Sequence, residues 1–150
     1  MRQVKKLQYR HRAYNSKGLK MSQDLEPQPW GAQDRFQAHF IVKTSQVTNA
    51  EFLAKTKLKT EGHFAPKKVV GVQWVGGTIA ETLNSDAELT SMIVKLPYKD
   101  AKIWIEPTRN GIRIHGSWKS SYEFRIDKEL FAVYDKIASH VKSTLGFPPV

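Results

Sequence analysis

A chain of 150 residues with 40% hydrophobic and 25% charged side chains is long enough for one domain with a buried core and lies in the globular rather than the disordered range. It contains no cysteine, which excludes disulfides, thiolate nucleophiles and thiolate metal sites, and its apolar runs fall far short of the roughly 20 residues of a membrane-spanning helix. The net charge of +10 sits at one end: seven Lys and Arg precede the first acid, Asp24, leaving 17 against 14 acids, a net +3, for residues 24–150.

Residues 1–23 read as a basic flexible arm. Arg2, Lys5, Lys6, Arg10, Arg12, Lys17 and Lys20 are interleaved with Tyr9 and Tyr14, without an acid among them. Such a segment is drawn to phosphate backbones and releases counterions as it binds, while tyrosines can stack on bases. Two rivals are a mitochondrial transit peptide, weakened by the shortage of apolar residues for an amphipathic helix, and a leader preceding a start at Met21. No apolar signal-peptide region is present, so the expectation is a soluble intracellular protein, with the cytoplasm favoured and the mitochondrion as the alternative.

Residues 24–34, with Pro27, Pro29 and Gly31, read as a linker, in which Trp30 is expected to dock on the domain. A single α+β domain then spans 35–150. "RFQAHFIVK" sets Phe36, Ala38, Phe40 and Val42 against Gln37, His39, Ile41 and Lys43, the period of a strand with one buried face. Thr48 to Glu51 spells T-x-x-E, with Val47 placed to staple Phe52, and predicts a helix over about 49–60 whose Lys55, Lys57 and Lys59 are dispersed around the cylinder. "KKVVGVQWV" is a second strand ended by "GGT", and a helical turn over 79–83 follows.

Ser85 to Glu88 gives another capping box ahead of Leu89, Met92, Ile93 and Leu96, one apolar helix face stopped by Pro97. "AKIWIEPTRNGIRIHGSWKSSYEFRI" reads as three antiparallel strands reversing at Asn110-Gly111 and at "WKSSY". Asp127 caps a last helix with a stripe of Leu130, Tyr134, Ile137, Val141 and Leu145, ended by Gly146 and Pro148. The expected fold is α+β, a mainly antiparallel sheet with helices packed on one face, in the order β-α-β-α-β-β-β-α.

Motifs that would name a reaction are missing. "GVQWVGGT" has the spacing of a phosphate loop, but Gly77 stands where the lysine must reach the phosphates, which excludes nucleotide hydrolysis; Gly76-Gly77 reads as a sharp turn, with an anion on its amides as the alternative. His11, His39, His63, His115 and His140 lack metal-ligand spacing, so no metal and no cofactor are expected.

Period two within the three-strand meander puts Lys102, Trp104, Glu106, Arg113, His115, Glu123 and Arg125 on one face, with Arg113 and Glu123 as a cross-strand pair. That face reads as a solvated surface, as a nucleic-acid platform, or as an active site using Glu106 or His115, although no serine or cysteine nucleophile stands beside a base. The favoured function is a non-catalytic nucleic-acid-associated module, an RNA-binding or ribonucleoprotein subunit anchored by its arm, with RNA favoured over DNA. Trp104 would stack a base while Lys102, Arg113 and Arg125 meet phosphate. The alternative is a structural or adaptor subunit of a protein complex, without nucleic acid.

Overall fold

The computed structural model describes residues 19–28, 31–46, 48–62 and 67–147, with side chains from residue 35 onward. Its elements are β1 (Leu19–Gln28), β2 (Gly31–Lys43), a 3-10 turn (Ala50–Phe52), β3 (Ala54–Glu61), β4 (Lys68–Gly76), α1 (Thr78–Asn84), α2 (Ala87–Val94), β5 (Ile103–Thr108), β6 (Gly111–Gly116), β7 (Lys119–Ser120) and α3 (Lys128–Thr144). The strands form one antiparallel sheet in the order β1-β2-β6-β5-β3-β4, and β7 pairs with β2 beyond the end of β6. Sheet and helices together make an α+β fold. No helix among the described residues is long and apolar enough to cross a membrane.

Strand alternation builds the core. Phe40 and Val42 on β2, Ile103 and Ile105 on β5, and Ile112 and Ile114 on β6 are buried in one cluster with Leu89 and Ile93 of α2 and with Leu130, Val133, Tyr134, Ile137, Ala138 and Val141 of α3. The helix ends follow from local chemistry. Asp86 Oδ1 accepts from Leu89 N at 3.0 Å to start α2, and Asp127 Oδ1 accepts from Leu130 N at 2.9 Å to start α3. At the end of α3, Gly146 adopts φ +79° while its N–H reaches Ser143 O at 3.0 Å and that of Phe147 reaches Lys142 O at 2.9 Å, a Schellman closure.

The predicted helix over 49–60 is instead a strand. Asn49, one residue after the expected cap, accepts from Glu51 N at 2.9 Å, but the turn that it starts ends after Phe52. From Ala54 the chain alternates Ala54, Thr56, Leu58 and Thr60 inward against exposed Lys55, Lys57 and Lys59 outward. Thr56 serves the inward side by hydrogen bonding rather than apolar bulk: Oγ1 donates to Ala101 O at 2.8 Å and accepts from Ile103 N at 3.0 Å, joining β3 to the entry of β5.

Upstream, residues 19–28 and 31–34 are strand where the sequence reading has the end of the arm and a linker, so the boundary near Arg35 falls inside β2. Leu19, Met21 and Leu25 alternate with Lys20, Ser22, Asp24 and Glu26, and Pro27 is tolerated because β1 is an edge strand. Arg2, Lys5, Lys6, Tyr9, Arg10, Arg12, Tyr14 and Lys17, like Trp30, Val47 and His63, lie outside the described residues. The helix expected from a Ser85 cap starts one residue later, at Asp86, since Ser85 closes α1 through its N–H to Glu81 O. At the β5–β6 turn only Gly111 has positive φ, so Asn110 does not supply a second positive angle. The third meander strand shortens to β7 because the N–H groups of Glu123 and Phe124 both turn back to Ser120 O, at 3.1 and 3.0 Å.

The edge strand β4 is tied to α1 by one side chain. Asn84 Oδ1 accepts from Trp74 N at 2.8 Å while its Nδ2 donates to Trp74 O at 2.9 Å. The Gly76-Gly77 pair is occupied as well, because Gly77 N donates to Leu53 O at 2.7 Å. Its amide is therefore spent within the protein.

Candidate functional site

Residues paired directly across antiparallel strands point to the same side of a sheet. On the side away from the helices, one row runs Val75, Lys55, Trp104, His115 and His39 over β4, β3, β5, β6 and β2, and the backbone register carries it to Lys20 on β1. A second row pairs Glu106, Arg113 and Ile41.

The middle of this face is a polar network around Arg113. Its Nη1 reaches Glu106 Oε1 at 3.1 Å, its Nη2 donates to Gln37 Oε1, and its Nε lies 3.4 Å from His39 Nδ1. Gln37 is buried, and its Nε2 donates to Gly116 O at 3.0 Å and lies 3.1 Å from His115 Nδ1. Glu106 Oε1 also lies 3.2 Å from His115 Nε2, without the alignment of a hydrogen bond. The imidazole stacks under the Trp104 indole, with centroids 5.5 Å apart and planes 11° from parallel. Arg113 is thus committed to holding the face together, and the indole is fixed from one side.

Burial pushes the His115 imidazole below its ordinary value, aided by the Arg113 guanidinium and opposed by Glu106. A histidine so depressed takes up its proton more readily in the unfolded chain, so its share of stability is complete above roughly pH 6.5 and is lost as pH falls. Asp86 lies in the opposite case: hydrogen bonds from His140 and from Leu89 N hold its carboxyl at about 2 instead of 3.8. Its share is present above the unfolded value and is lost as pH falls towards 2. Urea midpoints are therefore expected to drop in two stages, below about pH 6.5 and again below about pH 4. H115Q should remove the first stage and D86N should shrink the second; a native midpoint flat across the first window would contradict the burial of His115.

Beside the network lies a groove of about 650 Å³ between β3, β5 and the segment before β5. Lys55, Lys57, Lys102, Tyr98 and Trp104 line it, and no carboxylate does so among the described residues. Lys102 Nζ stands 4.5 Å from the centroid of the Tyr98 ring and Lys67 Nζ 5.2 Å. Lys55, Lys57 and Lys59 are exposed at alternate positions of β3.

Of the residues read from the sequence as a platform, Lys102 and Trp104 come together in this groove, and Arg113 lies next to it in the network. Arg125 is exposed after the β7 turn, and Lys20 falls on β1. Glu123 does not pair with Arg113; Lys99 holds it, and Ser120 Oγ donates to it at 3.3 Å. Sequence reasoning missed Lys55, Lys57 and Lys59 as a row because it placed them on a helix, where alternate residues diverge; the Thr/Lys alternation itself was the available signal. It also missed Tyr98. No family model, curated protein or solved structure matches this chain.

Proposed function

We propose that the chain is a non-catalytic nucleic-acid-associated module, an RNA-binding or ribonucleoprotein subunit. Its basic N-terminal segment anchors it, and the open sheet face docks on the polymer. The observation that carries this reading is the row Lys55, Lys57 and Lys59: three exposed cations without an ion-pair partner among the described residues, with Trp104 directly across from the first. Cations on alternate residues beside an aromatic ring suit a polyanion whose bases can stack. A sheet face of this kind favours RNA, since its recognition relies on splayed bases, whereas duplex DNA is read by elements inserted into a groove.

The test is fluorescence anisotropy of a labelled RNA hairpin with single-stranded flanks, across a salt series. The variant K55Q/K57Q/K59Q should bind more weakly and lose about 2 from the slope of log affinity against log salt, the share of three phosphate contacts on a single strand. If neither this variant nor neutralisation of the N-terminal cations changes RNA binding, the reading fails. A protein partner that still co-purifies would then favour an adaptor role.

A further inference from the structure

We infer that the groove between β3, β5 and Tyr98 is a seat for one unpaired nucleotide, so that the ligand of this face is single-stranded nucleic acid rather than a duplex. This rests on the nucleic-acid reading and narrows it. The groove's volume of about 650 Å³ lies within the range of pockets that take small organic ligands. The Trp104 indole has His115 stacked on it 5.5 Å away and lines the groove, which leaves it a stacking surface for an incoming base.

Charge complements that surface on several sides. Lys55 is the cross-strand neighbour of Trp104, and Lys57 follows two residues on, about 6.7 Å along the strand. That distance is close to the separation of successive phosphates along a nucleic-acid strand. Lys102 closes the opposite side above the Tyr98 ring, at 4.5 Å. A base on Trp104 would therefore have a cation for each flanking phosphate. A base inside a duplex has both faces covered by its stacked neighbours, so an unpaired base is the one that offers a face to Trp104.

The full chain should be titrated with labelled single-stranded RNA, single-stranded DNA of the same sequence, and the corresponding RNA duplex. Trp104→Leu, Trp104→Phe, Tyr98→Leu and Lys57→Gln should be measured alongside, with circular dichroism as a check on folding. The native chain is expected to prefer unpaired strands, and Trp104→Leu to lose about tenfold in single-strand affinity, largely restored in Trp104→Phe, with duplex binding unchanged. Equal affinity for single-stranded RNA and DNA supports the seat, since base and phosphate are common to both. Duplex binding as tight as single-strand binding by the native chain overturns it, even if the Trp104 variants do not fold. RNA binding that persists while the Trp104, Tyr98 and Lys57 changes leave it unaltered overturns the seat but leaves the proposed function standing. Absence of binding to every probe ends both.

Discussion

Gly77→Ala is expected to destabilise the protein by about 3 kcal/mol, a large part of the 5–15 kcal/mol typical of a domain. A Cβ at this position would lie 2.1 Å from Ala50 O and 2.7 Å from Glu51 O. Both are backbone atoms of the turn before β3, so no side chain can rotate out of the way. Nor can the chain at Gly77 retreat freely, because its N–H is bound to Leu53 O at 2.7 Å. Gly146→Ala supplies the contrast. There φ is +79° but nothing lies within 4 Å of the added carbon, so the cost should be only the left-handed backbone term of about 1 kcal/mol. Urea denaturation of the two variants separates close approach from backbone strain; equal midpoints would show that the contact at Gly77 is relieved by movement of the turn.

Raising monovalent salt from about 50 to about 200 mM should weaken binding of single-stranded RNA by a few hundredfold through the N-terminal segment alone if about six cations there meet phosphate, since that share of the logarithmic slope is near −4. Arg2, Lys5, Lys6, Arg10, Arg12 and Lys17 supply that number before β1 begins, without an intervening acid. Replacing these six by glutamine should flatten the slope nearly completely at the arm's share and leave the contribution of Lys55, Lys57 and Lys59. The two sets of substitutions act on separate segments, so their effects on the slope should add. Native binding that hardly responds to salt would exclude phosphate contacts as its source.

Strands with hydrophobic alternation and helices with a strong apolar face were legible in the sequence. Ala38 to Val42, Ile103 to Ile105 and Leu130 to Leu145 announce which side is buried, and the structure buries it, while Phe36 is only partly covered and its neighbour Gln37 is buried instead. β3 was harder because its inward positions include Ala54, Thr56 and Thr60, which carry little hydrophobic signal. Thr56 belongs inside through its two hydrogen bonds to the backbone before β5, a long-range fact that local pattern does not contain. The T-x-x-E motif misplaced the start by one residue, since Asn49 rather than Thr48 caps, and the element that follows has only three residues. The candidate site inherited that error. Trp104 and Lys102 were readable from β5, whereas the lysine row depended on assigning β3 correctly. The partners of Arg113 depended on knowing that β2 lies beside β6.

The Asn84 side chain has a consequence for how copies of this protein meet. An edge strand offers its outward amides and carbonyls to any other extended chain, and "VVGVQWVG" in β4 is uncharged and rich in β-branched residues, the composition of strands that recruit their own kind. At Trp74 both outward groups are already satisfied by a primary amide that imitates the backbone of a neighbouring strand. A second chain adding to β4 must first evict it, so this edge of the sheet carries its own stop against growth by polymerisation.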